Sequence, residues 1–300
     1  MKEIYGSPCY GIKTGYNDAF VITKEIRDTI VVSDPKSADI IKPFLEGKDL
    51  KKWHSQPREL FIIFTRRGID IDLYPGIKNH LEQYQERLSP KPKDWPKDQK
   101  WHGRKSGPYK WYEIQDSVAY HESFDKPKIQ YGHFCPEPLF HYNTNQAYSN
   151  DKSYIIPTDD LYLYGLLNSS VYWFLIKSMC PFVRGGYYEA RAQYIETLPI
   201  PPKPDGEIIS GLASKIQLFS ESRFKCEGDF SRRLVDLCPE EQVFKLNKNL
   251  EHWWKSDFVG LQKEIKKSFK GNIPLSERND WQDFFEGEKT KRDELNQEIQ

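Results

Sequence analysis

Four loop-forming runs of this 300-residue chain mix cations with glycine, amide, hydroxyl or aromatic side chains. The first is Gly11-Ile12-Lys13-Thr14-Gly15-Tyr16-Asn17, where two glycines open the backbone and leave Lys13, Thr14 and Asn17 with little steric cover. The second, Thr65-Arg66-Arg67-Gly68, places two arginines directly after the apolar run Leu60 to Phe64. The third runs from Trp101 through His102, Gly103, Arg104, Lys105, Tyr109 and Lys110 to Trp111, with Lys100 beside it, and the fourth runs from Val183 to Arg191 through Arg184, Gly185 and Gly186. Lysine and arginine on loops neutralise phosphates, and arginine, asparagine and lysine can also reach base edges, so these runs are suited to contact with a nucleic acid. On that reading Lys13, Arg66 and Arg184 set affinity, while Asn17, Arg67, Arg104 and Lys105 discriminate bases. Each run also has a plainer explanation: a tight turn, an arginine pair in surface salt bridges, or a surface loop stapled by its aromatic rings.

The elements that must position these loops are short. Strand character appears at Ala19 to Thr23, Leu60 to Thr65, Lys128 to Phe134, Leu139 to Tyr142 and Ser153 to Ile156, each bounded by turn-forming residues. A helix-like run lies before Pro43, and Ile77, Leu81, Tyr84 and Leu88 recur at helical spacing between Pro75 and Pro90. Asp159 or Asp160 can cap a helix that runs to Met179. Beyond the prolines at 199, 201, 202 and 204 the pattern turns helical, with stretches at Glu207 to Lys225, Glu240 to Trp254, Leu261 to Phe269 and a last helix from Glu286. The expected fold class is therefore α+β, a mixed α/β domain with small sheets over residues 1–202 and a helical region over 203–300.

Charge is balanced overall at +0 but unevenly placed. Residues 91–110 carry a surplus of about five positive charges and residues 277–300 about four negative, which suggests a positive face on a scaffold and excludes a uniformly basic coat. Aromatic residues make up 14%, enough to supply both core volume and flat contact surfaces. The five cysteines are odd in number, widely spaced and without a C-x-x-C pair, so a reducing cytoplasm is expected. Leu161 to Met179 is interrupted by Asn168, Ser169, Ser170 and Lys177 and reads as a buried helix, with no membrane partner expected.

In its ordered motifs the chain resembles the TaqI-like C-terminal specificity domain. The likeness rests on residues 11–22, on 35–53 (Pro-Lys-Ser-Ala-Asp-Ile-Ile-Lys-Pro-Phe-Leu-Glu-Gly-Lys-Asp-Leu-Lys-Lys-Trp), on 166–174 (Leu-Leu-Asn-Ser-Ser-Val-Tyr-Trp-Phe) and on 194–202 (Tyr-Ile-Glu-Thr-Leu-Pro-Ile-Pro-Pro). It covers roughly residues 8–202. The resemblance implies a target-recognition domain of an adenine-specific DNA methyltransferase, a type IIG restriction-modification enzyme or a related phage-defence enzyme. It implies double-stranded DNA and a methyltransferase catalytic domain or subunit as partners, with S-adenosylmethionine bound by that partner. It also implies a basic, glycine-rich turn near Arg184 and Arg191.

The chain carries neither the glycine-rich loop for S-adenosylmethionine nor an Asn-Pro-Pro-Tyr-like motif, so no catalytic residue and no cofactor of its own is expected. It reads as a separately made recognition subunit, a truncated product or a piece of a longer one. G-x-S-x-G, H-E-x-x-H and G-x-x-x-x-G-K-[ST] are also absent. His133, Cys135 and His141 are close in sequence but lack metal-ligand spacing, and Glu264-x-Lys266 lies in a lysine-rich helical run, so no metal is expected. The alternatives are a stand-alone nuclease with an unrecognised site, or a carbohydrate- or protein-binding module using Trp101, Tyr109 and Trp111.

Overall fold

The computed structural model describes residues 1–203, 206–239 and 245–300. It divides into two compact units, Met1–Ala213 and Ser214–Gln300. In chain order the first unit holds α1 (Lys2–Tyr5), β1 (Cys9–Tyr10), α2 (Asn17–Phe20), β2 (Val21–Thr23), α3 (Lys24–Ser33), β3 (Ile41–Leu45), β4 (Leu60–Ile63), α4 (Pro75–Glu82) and α5 (Gln85–Leu88). It continues through β5 (Lys128–Gly132), β6 (Phe134–Cys135), β7 (Phe140–Asn143), β8 (Tyr148–Ser149), β9 (Ser153–Pro157), α6 (Leu161–Asn168), α7 (Ser170–Met179), β10 (Phe182–Val183), β11 (Tyr187–Glu189) and α8 (Ala192–Ile195). This is an α+β fold.

Three small sheets organise the unit, in the orders β1-β9-β5-β7, β2-β4-β3-β8 and β10-β11-β6. Every pairing is antiparallel except β3 with β8. Pro43 lies within β3, so the helix-like run before it ends early, as a 3-10 turn over Pro35–Ile40. The ladder tolerates this proline for a geometric reason. The Phe64 N–H donates to Ile40 O at 2.7 Å, and the alternation of antiparallel pairs then sets Pro43 opposite Phe61 in a non-hydrogen-bonded position. Its missing N–H faces the side where β8 pairs only Phe44 and Leu45. Ile22, Phe44, Ile62, Ile63, Ile77 and Phe124 form part of the core between the sheets and α4.

Two expected helices are each broken in two. The run from Pro75 bends at Tyr84, giving α4 and α5. The run from Asp160 breaks at Ser169, whose Oγ accepts from the Tyr172 N–H at 3.2 Å and so caps a new helix. Asp160 caps α6 by accepting from the Tyr162 N–H at 3.0 Å. Strand character at Ala19 and Phe20 gives way to α2, because both side chains are fully buried on a helical turn.

The second unit is helical. Helix α9 (Gly206–Arg233) runs into it, followed by α10 (Lys248–Glu251), α11 (Phe258–Phe269) and α12 (Arg278–Ile299). The expected helix Glu240 to Trp254 begins outside the described residues and is otherwise confined to α10 and a 3-10 turn at Trp253–Lys255. The last helix starts at Arg278 and not at Glu286, because Phe285 is buried with Phe230 and Trp253 and anchors the earlier turns. Among the described residues no helix is long and apolar enough to cross a membrane.

Candidate nucleic-acid interface

Segment 110–116 is the spine of the site. On one side the Gln115 N–H donates to Thr14 O at 3.1 Å and the Asp116 N–H to Lys13 O at 3.2 Å. On the other, the Ile114 N–H donates to Thr65 O at 2.8 Å and Thr65 Oγ1 donates to Tyr112 O at 2.5 Å. Arg67 Nη2 donates to Gln115 O at 2.9 Å, and the Gly68 N–H donates to Glu113 Oε1 at 2.9 Å. Two loops far apart in sequence are thus laced to one segment, bringing Lys13, Arg66, Arg67 and Lys110 into one neighbourhood. Lys13, Arg66 and Lys110 are exposed, and Lys110 lies over the Tyr112 ring at 5.5 Å.

Arg104 holds this arrangement from beneath. It is 4% exposed, and its guanidinium donates to five backbone carbonyls: Leu88 O at 2.6 Å, Thr14 O at 2.9 Å, Glu113 O at 2.7 Å, Lys110 O at 3.2 Å and Trp111 O at 2.8 Å. The Tyr109 ring covers it at 4.5 Å. Burial pushes the guanidinium down to about 10, still charged at neutral pH. The expectation that Arg104 reads a base is therefore corrected: its donors are spent on the chain's own carbonyls. The run Trp101 to Trp111 is instead the loop stapled by its aromatic rings. Trp101 packs edge-on to Trp95 at 4.7 Å, its Nε1 donates to Ser89 O at 3.3 Å, and Tyr109 is buried. Lys100 and Lys105 remain exposed on the outside of that stapled loop.

Thr14 is also buried, at 1% exposure, which removes it from any contact surface. Its Oγ1 donates to Asn17 Oδ1 at 2.6 Å and accepts from the Tyr16 N–H at 3.2 Å, shaping the turn that exposes Asn17. Gly15 is left-handed at φ +86°, as its loop demands. Gly11 serves differently: a Cβ there would lie 1.9 Å from Asn150 O, so glycine is needed for close approach of two backbones.

A cleft of about 350 Å³ opens beside Arg66 and Arg67, lined also by Lys42, His121, Asp125 and Tyr148. Arg66 Nη1 lies 2.5 Å from His121 Nε2. Lys42 and Tyr148 escape a reading of the sequence because only the β3–β4–β8 pairing brings them to the arginines, and His121 reaches them from a separate 3-10 turn, His121–Phe124.

The fourth run lies on other elements. Arg184, Gly185 and Gly186 form the tip of the β10–β11 hairpin, with both glycines left-handed at φ +91° and +83°. Arg184 is exposed and has no ion-pair partner among the described residues. Arg191 is the N-cap of α8 and pairs with Glu189 at 2.7 Å, and that carboxylate also faces His133 Nε2 at 3.1 Å. The Arg191 hydrogen bond and charge, together with the His133 contact, hold the Glu189 carboxyl below its ordinary range. Cys135 lies beside the Tyr188 carbonyl and His141 is buried near His54 and Lys128, so the three residues weighed as metal ligands point into separate surroundings. Among the described residues no group of three or more His, Cys, Asp or Glu side chains is placed to hold a metal ion.

The chain thus combines an α+β architecture with braced cationic loops. It belongs to the family of TaqI-like C-terminal specificity domains, which matches residues 42–200, more than half of the chain. Residues 203–300 match a second family, a domain of unknown function designated DUF8810. Residues before 42 lie outside the first match, yet β1 pairs with β9 and β2 with β4, so they complete its sheets. No curated protein matches the chain. One similar solved structure is that of the Type IIL restriction-modification enzyme MmeI in complex with DNA, at 18% identity and a TM-score of 0.47, covering 96% of this chain and 36% of that one. The chain thus spans little more than a third of that enzyme's length.

Proposed function

We propose that this chain recognises a specific sequence in double-stranded DNA on behalf of a restriction-modification enzyme. The finer reading is a target-recognition part serving an adenine-specific DNA methyltransferase of type IIG or phage-defence kind. The methyltransferase domain or subunit would bind S-adenosylmethionine, and both would work in the cytoplasm. The observation that carries this is the convergence of Lys13, Arg66, Arg67 and Lys110 on one backbone spine in a chain of a specificity family.

Lys13, Arg66 and Lys110 suit phosphates, since all three are exposed on loops whose backbones are fixed. Asn17, Arg67, Lys100 and Lys105 are the candidates for base edges, with Arg184 a further phosphate contact from the hairpin tip. Arg104 and Thr14 position these groups and touch no DNA. Selection of bound duplexes from a randomised library, followed by a salt titration on the winners, tests the proposal. One short motif whose affinity falls steeply with salt is expected. Binding that stays blind to sequence when a methyltransferase partner is added overturns it.

A further inference from the structure

A second cleft, of about 460 Å³, opens between the Gly47–Asp49 turn and the β6–β11 pair. That size lies within the range of small-ligand pockets, roughly 300–1,000 Å³. Two aromatic rings line it, Phe134 at 43% and Tyr187 at 41% exposure. Their placement follows from register. Phe134 pairs with Glu189 and Cys135 with Tyr188, so strand alternation puts Phe134 and Tyr187 on the same face of the small sheet. The opposite face is the packed one, where Tyr188 meets Trp173 at 5.4 Å and Phe182 at 5.2 Å.

Three lysines, Lys48, Lys51 and Lys152, share this cleft. Lys48 pairs with Glu46 at 2.8 Å, but that carboxylate is also held by Arg58 at 2.6 Å, and Lys51 Nζ donates to Lys48 O at 2.8 Å. Lys152 has no ion-pair partner among the described residues; Glu137 lines the cleft as well. The floor is fixed. The Glu46 and Asp49 carboxylates cap the Gly47–Asp49 turn reciprocally, and Arg58 grips Asp49 through Nε at 2.7 Å. A Cβ on Gly47 would lie 2.9 Å from Lys152 O, which accepts from the His133 N–H at 2.9 Å.

Exposed rings beside the Lys152 ammonium suit a nucleotide, whose base stacks on an aromatic face while its phosphate takes a cation. We propose that this cleft holds one unstacked nucleotide of a bound DNA strand, its base against Phe134 and Tyr187 and its phosphate on Lys152. The proposal rests on the DNA-recognition reading and adds a site apart from the spine at 110–116. Arg184, three residues before the β11 start on the same hairpin, would meet a neighbouring phosphate.

Photo-crosslinking of the full chain tests this with two duplexes carrying one 5-iododeoxyuridine, either in a single-nucleotide bulge or fully paired. Irradiation and peptide mass spectrometry are expected to place the bulged adduct on Phe134 or Tyr187. The double variant Phe134→Leu/Tyr187→Leu keeps apolar volume without ring faces. It should bind the bulged duplex about tenfold more weakly, with binding of the paired duplex unchanged. Lys152→Gln should weaken the bulged duplex alone, and circular dichroism checks that the variants fold. Adducts confined to other regions, or unchanged bulge affinity in the double variant, overturn the cleft while leaving DNA recognition standing. Loss of the adduct on adding micromolar thymidine monophosphate makes a free nucleotide the occupant and also overturns it. A wild-type chain that binds neither duplex overturns the underlying reading and the cleft together.

Discussion

Replacing Arg104 with alanine should damage the fold and not the choice of base. The guanidinium donates to five carbonyls drawn from residues 14, 88, 110, 111 and 113. A hydrogen bond to a charged group contributes about 1.5–3 kcal/mol, yet the cost of desolvating a buried guanidinium is several kcal/mol and offsets much of that gain. Alanine removes the cation together with its desolvation cost but leaves the carbonyls without their donor and opens a void under Tyr109. A net loss of about 3–5 kcal/mol follows, in line with breaking a buried charged network. In urea this would lower the midpoint of the unit's transition by roughly 1–2.5 M at a slope of 2–3 kcal/mol per molar. Arg104→Lys should fall between, since one ammonium has three donors and cannot span the same carbonyls. The reasoning is refuted if Arg104→Ala unfolds at the parental urea concentration while losing preference for one base pair in a competition with altered duplexes. That result would make Arg104 a reader of DNA.

Gly11→Ala should cost about 1–3 kcal/mol, because its Cβ meets the Asn150 carbonyl backbone at 1.9 Å and must part the Ile12–Asn150 bridge; thermal unfolding of the variant checks this. Arg66→Ala should leave the melting temperature unchanged and reduce the slope of log affinity against log salt by about one, the loss of a single phosphate contact; an unchanged slope in a binding titration removes Arg66 from the interface. Acid should destabilise the chain through His141. Burial, with His54 and Lys128 nearby, pushes this imidazole down to about 3. Above about 6.5 both folded and unfolded chains hold it neutral. Between about 6.5 and 3 only the unfolded chain takes up the proton, so stability falls as pH drops, by about 1.4 kcal/mol per unit at the steepest. Urea midpoints at pH 7.5, 5.5 and 4.5 should therefore diverge between the parent and His141→Gln, the variant showing the shallower fall.

Much of the fold was legible in the sequence where local pattern decides structure. The strands at Leu60, Lys128, Phe140 and Ser153 follow from short β-branched and aromatic runs between turn residues, and the Asp160 cap follows from side-chain chemistry at a helix start. What escaped depends on contacts between distant residues. Pro43 reads as a helix stop, yet only the β3–β4 register shows that its missing N–H is harmless in a strand. The last helix begins eight residues before its expected start at Glu286, because Phe285 packs on Phe230 and Trp253 across a loop that charge counting does not see. The candidate site divides the same way. Loop composition picks out Lys13, Arg66, Arg67 and Lys110, but nothing local tells whether an arginine faces solvent or backbone. Arg104 and Lys105 are neighbours in one basic run, and one is buried while the other is exposed.

This division has a consequence for how such a domain changes its specificity. The spine at 110–116 is tied to its neighbours largely through backbone atoms: Thr14 O, Lys13 O, Thr65 O, Tyr112 O and Gln115 O all serve as acceptors. The side chains at 13, 110 and 115 therefore carry little of the cost of holding the loops together. Arg104, Glu113 and Thr65 carry it instead, from buried positions with 4%, 3% and 0% exposure. A substitution at Lys13 or Lys110 alters charge presented to a ligand without opening a buried bond. A substitution at Glu113 releases the Gly68 and Lys110 N–H groups together and loosens both cationic loops at once. On the proposed reading, affinity and base choice would vary on a frame that does not, because the frame is built from one buried guanidinium, one buried carboxylate, one buried hydroxyl and the peptide groups that every sequence supplies.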